Sequence, residues 1–172
     1  MSQAANQVKW CLNKARERLA EGKKHRGLVE VKPDLKMAAM HLEKAEHNLN
    51  AIAAFARIGF SDWSVSAAFY SIYHCFLAIL ARYGYESMNQ DCTIAAIQHF
   101  KEQGKVSVEE RFIEALQSHA EVKDQHEHSV IELREDYQYG VKKEVKDKDR
   151  IRKFTQVCTE MLETAKAEVY KG

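Results

Sequence analysis

Proline and glycine are scarce in this chain: Pro33 is the single proline, and seven glycines are spread over 172 residues. Many-stranded folds need frequent tight turns, and those turns need these two residues, so a sandwich or barrel is excluded and long helices are expected. A dominant charge is also missing. The 26 lysines and arginines nearly cancel the 25 aspartates and glutamates, leaving +1, so any contact with nucleic acid or an anionic bilayer must be local. The longest unbroken apolar run, Cys75–Ala81, is far short of the roughly 20 residues that cross a bilayer. The first residues lack the apolar core of a secretion signal, so neither secretion nor membrane insertion is expected. Cys11, Cys75, Cys92 and Cys158 lie far apart with no Cys-x-x-Cys pair. That spacing predicts no zinc site and no disulfide framework, but reduced thiols in the cytoplasm. No internal repeat and no low-complexity tract occurs, which excludes a solenoid.

What the sequence does hold is apolar residues at helical spacing. Ala4, Val8, Cys11, Leu12, Ala15 and Leu19 recur every three or four positions and form one stripe of a helix that should end near Gly22. KKHRGLVEVKPD follows, with a glycine, a basic cluster and the lone proline, and reads as a connector or hinge. From Asp34, the positions Leu35, Ala38, Leu42, Ala45, Leu49, Ile52, Ala53 and Ala56 keep helical period up to Gly59. Ser61 is placed to cap the next helix. Almost every position of that helix between Ala67 and Leu80 is apolar, as a helix enclosed by others requires. A polar loop over 86–91 leads to a shorter helix carrying Ile94, Ile97 and Phe100, stopped at Gly104, and Val108, Phe112, Ile113 and Leu116 mark another. Residues 120–140 lose clear period and are expected to bend, before Ile151, Phe154, Cys158, Met161, Ala165 and Val169 resume it. The expected fold is all-α: an antiparallel up-and-down bundle of about five to six helices over residues 33–172, preceded by an N-terminal helical extension and basic connector over residues 1–32.

Residues 61–87, SDWSVSAAFYSIYHCFLAILARYGYES, combine an Ala-Ala-aromatic-Tyr run, His74 four residues later and a closing Gly-Tyr. This string resembles the central helix of the HEPN superfamily (higher eukaryotes and prokaryotes nucleotide-binding). KAEHNLNAI at 44–52, the Gly59–Trp63 junction and LREDYQYG at 133–140 before a long terminal helix are similar to the family as well, so the resemblance covers about residues 35–170. It implies a helical bundle, commonly a homodimer, associated with nucleotides or RNA and often paired with a nucleotidyltransferase-like protein in toxin–antitoxin or defence systems. No cofactor is expected.

The family's ribonucleases carry an arginine and, after four to six intervening residues, a histidine; the arginine holds phosphate and the histidine moves a proton. Arg134 stands where that arginine is expected, but the histidine positions hold Tyr139, Gly140 and Val141. Arg18 and His25 have the spacing outside the family region, Arg111 and His119 miss it by one residue, and Arg82 reaches only Ser87, Met88 and Asn89. The expectation is therefore binding without metal-independent RNA cleavage. The rival is an RNase toxin with a non-standard site using His74 and Arg134. A third reading is a non-catalytic oligomerising scaffold.

Candidate ligand-binding residues are Tyr70, His74, Asn89, Gln90, Arg134, Asp136 and Tyr137. Tyr70, Ser71 and His74 are three- and four-spaced, so their polar groups can converge on one ligand. Against this, His74 reads more readily as a hydrogen-bonded core histidine, and Tyr70 as a core aromatic with its hydroxyl satisfied. Asn89 and Gln90 can bind a base edge but cannot relay protons. Arg134 with Asp136 and Tyr137 suits a phosphate or ribose, or else a salt bridge that ties a bend. His126 and His128 lack a third ligand at a recognisable spacing, and no glutamate has a histidine three residues on, so no metal site is expected. Lys23, Lys24, His25 and Arg26 form the densest basic cluster, which suits an RNA backbone or simply an exposed helix end.

Overall fold

The first apolar stripe folds as helix α1, Gln3–Ala20, in the computed structural model, which describes residues 2–117 and 130–171. Ser2 caps it, its hydroxyl accepting from the Ala5 amide at 3.1 Å, and Gly22 turns the chain away at φ 70°. Helix α2 spans Leu35–Arg57, with Asp34 accepting from the Met37 amide at 2.9 Å, and Gly59 follows at φ 87°. Helix α3 is Ser61–Arg82, α4 Gln90–Glu102, α5 Glu110–Glu114, α6 Val130–Tyr139 and α7 Lys148–Val169. The architecture is an all-α bundle of seven helices among the described residues, with one very small sheet.

That sheet corrects the connector and loop expected at 23–34 and 86–91. Strand β1, Leu28–Glu30, pairs antiparallel with β2, Tyr85–Ser87, placing Leu28 opposite Ser87 and Glu30 opposite Tyr85. Leu28 is fully buried, while Glu30 on the same strand face is exposed. Gly84 makes the pairing feasible: it adopts φ 80°, and a Cβ there would lie 2.7 Å from the Val31 carbonyl. Of the stretch 120–140 that lacks clear period, Val130–Tyr139 is helix α6, and the bend expected there falls partly on residues outside the described ones.

The chain divides into two compact units, each assembled from separate stretches. Unit 1 comprises residues 1–42, 76–108 and 164–172. In it α1 packs on α4 and β1. Ser2 meets Glu102 while Cys11 meets Cys92, so α1 and α4 run antiparallel. Leu28, Phe76, Ile79, Leu80, Ile97 and Phe100 supply its larger buried side chains, with Tyr83 and Tyr85 against the Phe100 ring at 5.4 and 5.2 Å. Arg82 donates to the Val169 carbonyl at 3.1 Å, which closes α7 onto the end of α3.

Unit 2 comprises residues 43–75 and 109–163. Ser64 and Ser71, two turns apart on α3, donate to the Ile52 and Ala45 carbonyls of α2 at 2.7 and 3.0 Å, so α2 and α3 are antiparallel and closely packed. On the roughly opposite side of α3, Ser66 accepts from Gln138 of α6 at 2.7 Å. The Ser61 hydroxyl does not act as the expected cap; it accepts from the Val145 amide at 2.8 Å and anchors the segment before α7. Cys158 of α7 contacts the Ala68 carbonyl at 3.5 Å, and burial pushes its thiol up to about 12. α3 has the length and mean hydropathy, 1.5, of a membrane span, yet 83% of its most apolar window is buried inside the structure.

The cysteines supply a further correction. Cys11 and Cys92 form a disulfide with Cα atoms 5.9 Å apart, although nothing in a sequence separation of 81 signals the pairing. Antiparallel packing of α1 on α4 brings the two positions face to face, within the separation such bonds require. Cys75 and Cys158 lie outside it, both buried.

Candidate functional site

Seven candidate residues were read from the sequence, and five of them belong to unit 2: Tyr70 and His74 on α3, and Arg134, Asp136 and Tyr137 on α6. Helix α6 lies antiparallel along α3, because Arg134 meets residues 69 and 70 while Gln138, one turn later, meets Ser66. The Arg134 guanidinium lies 4.1 Å from the centre of the Phe69 ring and 6.0 Å from that of Tyr70. Phe69 is buried and meets Tyr70 edge-on at 5.1 Å, so the two rings form an angled platform beneath the cation. Arrangements of this kind attract a guanidinium through the ring quadrupole.

The environment of Arg134 is unusual in what it lacks. Its Nε is buried with no hydrogen-bond partner, and no carboxylate among the described residues lies within ion-pair distance. Asp136, two residues on, is exposed and does not pair with it, so the salt bridge weighed for this segment is not formed. A half-buried cation without a counter-charge bears an uncompensated desolvation cost, and a bound anion relieves it.

Tyr70 is 41% exposed and is therefore not the enclosed core aromatic of the alternative reading. His74 is half-buried one turn further along α3, its ring 6.3 Å from that of Tyr73 and roughly perpendicular to it. Tyr73 stacks on Phe69 at 5.9 Å, so His74, Tyr73, Phe69 and Arg134 form a continuous line of ring contacts. Tyr137 is half-buried on α6. Phe69 was not read as a site residue, since an aromatic in an apolar helix carries no mark separating a core side chain from a cation platform.

Asn89 and Gln90 belong to unit 1. The Asn89 side chain is the N-cap of α4, accepting from the Cys92 amide at 3.0 Å, while its carbonyl accepts from Thr93 Oγ1 at 2.9 Å. Gln90 is the first residue of that helix. The site described here is that of unit 2 alone.

The other arginines weighed in the sequence, Arg18, Arg82 and Arg111, are engaged. Arg111 pairs with Glu109 at 2.9 Å and with Glu160, stacks on Phe112 at 4.4 Å, and these carboxylates hold its guanidinium above the ordinary arginine value. Arg18 donates to the Lys24 carbonyl at 3.1 Å, and His25 is buried against Glu86 at 3.1 Å, so within the basic connector the histidine faces inward. His119, His126 and His128 lie outside the described residues. Among the described residues no three His, Cys, Asp or Glu side chains gather as a metal would need. A shallow depression lined by Gln3, Asn6, Gln7 and Trp10 is one face of α1 and holds no ionisable group. No protein-family model matches this chain, and no curated protein matches it in sequence.

Proposed function

We propose that this chain is a HEPN-type helical protein that binds a nucleotide or an RNA phosphate at Arg134 without cleaving it. One observation carries the reading: a guanidinium stacked on Phe69, its Nε buried and unpartnered, with no carboxylate among the described residues to neutralise it. Phosphate oxygens fit a planar guanidinium better than a point charge does, and the half-exposed Tyr70 ring offers a base a surface to stack on. His74, Asp136 and Tyr137 stand on the same two helices and can address the ribose or base. The sequence pattern at 61–87 and 133–140 adds the rest of the proposal: a cytoplasmic homodimer that works beside a nucleotidyltransferase-like partner in a toxin–antitoxin or defence system.

Thermal-shift titrations of the full chain with mono- and dinucleotides and a short single-stranded RNA test it, together with an RNA cleavage assay. Stabilisation by at least one of these ligands, without cleavage, is the expected result. Arg134→Ala should weaken that binding roughly 10- to 100-fold, as the loss of a charge-assisted contact implies, and Arg134→Lys should recover only part of it. Cleavage lost in both His74→Ala and Arg134→Ala would favour the toxin reading instead. A melting temperature that no nucleotide moves would leave a scaffold.

A further inference from the structure

The noncovalent grip of α1 is weak for a helix of 18 residues. Its buried residues are Ala4, Val8, Cys11 and Ala15, Leu12 is half-buried, and Trp10 and Leu19 are 54% and 51% exposed. One valine, three small residues and a half-buried leucine remove modest apolar surface from water. The polar ties near its ends, Ser2 to Glu102 and Arg18 to the Lys24 carbonyl, are solvent-exposed and correspondingly weak. The remainder of unit 1 is different. Leu28, Phe76, Ile79, Leu80, Ile97 and Phe100 form a core of large side chains, and β1, which also lies against α1, is tied to β2 by its own antiparallel pairing.

Midway along this loosely held helix sits the covalent bond. Cys11 and Cys92 are 0% and 1% exposed, so a reductant reaches them only when α1 or the connector moves. The connector closes over the bond's α1 side. A Cβ on Gly27 would lie 2.8 Å from the Cys11 carbonyl, and His25, two residues earlier, is latched to Glu86. A cross-link that fastens one weakly packed element to an otherwise self-sufficient core can open locally, whereas a cross-link inside the core cannot.

We propose that the Cys11–Cys92 disulfide is a redox-controlled tether that decides whether α1 stays docked on α4. The oxidised chain holds α1 in place. A dithiol reductant attacks one sulfur through its thiolate and forms a mixed disulfide; its second thiol then closes the reductant's own disulfide. Two electrons and two protons pass to the protein, and Cys11 and Cys92 become thiols. Helix α1 then leaves α4, uncovering the α4 surface between Cys92 and Glu102. In a reducing compartment such a bond is a switch, and in an oxidising one it keeps the helix docked.

Hydrogen exchange of the full chain, measured before and after treatment with dithiothreitol, tests the proposal, with cysteine alkylation read by mass in parallel. Reduction should speed exchange in residues 3–20 by about 100-fold or more, while residues 61–82 keep their protection. Alkylation should then reach Cys11 and Cys92 but not Cys75 or Cys158. A Cys11→Ala/Cys92→Ala chain should exchange like the reduced protein with or without dithiothreitol. Unchanged protection of α1 on reduction would overturn the proposal. So would loss of protection in residues 61–82 as well, which marks a global staple, or an intact mass showing no disulfide in the protein before treatment.

Discussion

His41 lies part-buried on α2, and burial holds its imidazole below the ordinary histidine value of 6.5. The folded chain therefore prefers the neutral ring, and the unfolded chain takes up the proton at higher pH. Stability from this group is complete above 6.5 and is lost as pH falls from there towards the lower native value. His41→Gln removes the titration, so denaturant midpoints at pH about 7.5 and about 5.5 should show the native sequence losing ground to the variant on the acid side only. An equal acid-side loss in both proteins would assign the effect elsewhere. The same scale shows what could be read from sequence and what could not. Tyr70 and His74 are polar groups that helical spacing made visible, and Arg134 was singled out by the resemblance of its segment to a known family. Phe69 beneath Arg134 and the Cys11–Cys92 pair were invisible, because each acquires its role from a partner far along the chain.

Among the elements, helix α4 separates two roles for one residue. Asn89 was a candidate ligand contact, and the structure employs its side chain as the N-cap, in extended conformation at φ −143° with Oδ1 on the Cys92 amide. Asn89→Ala should cost about 1 kcal/mol of stability through the lost cap, while Asn89→Asp keeps the cap and its stability. Neither variant should change the thermal shift given by a nucleotide once the lower starting melting temperature is subtracted; a selective loss of that shift would return Asn89 to the site. The helices themselves were legible because period and stop signals agree: α2 ends just before Gly59 and α4 just before Gly104, both at positive φ. The β1–β2 ribbon was not. Three-residue strands far apart in sequence leave no periodic trace, and their pairing depends on Gly84 turning tightly beside the Val31 carbonyl. Helix α6 was missed for a related reason: its apolar residues Val130, Ile131 and Leu133 cluster in the first turn, and the later turns carry polar groups.

At the scale of the whole molecule, composition excluded more than it identified. Scarce turn residues and near-zero net charge were enough for a helical fold and for the exclusion of a broadly basic surface, and both follow from the entire chain rather than from any motif. The charge balance also makes the proposed site measurable. With a net charge of +1, RNA is not gathered by a general field, so binding has to rest on the few cations that touch phosphate. Arg134 has no carboxylate partner among the described residues, whereas Arg111 is held by Glu109 and Glu160. One or two phosphate contacts release few counterions, and the logarithm of the single-strand binding constant should fall with the logarithm of salt concentration at a slope of about −0.7 to −1.4. Fluorescence anisotropy with a labelled single-stranded RNA between roughly 50 and 200 mM salt reads this directly. Arg134→Ala should make the slope shallower by about 0.7, because it removes one contact, and His74→Ala should leave it unchanged. A slope steeper than about −3, insensitive to Arg134, would mean that a dispersed set of lysines such as Lys142, Lys143, Lys146 and Lys148 carries the binding, and the Arg134 site would then have to be given up.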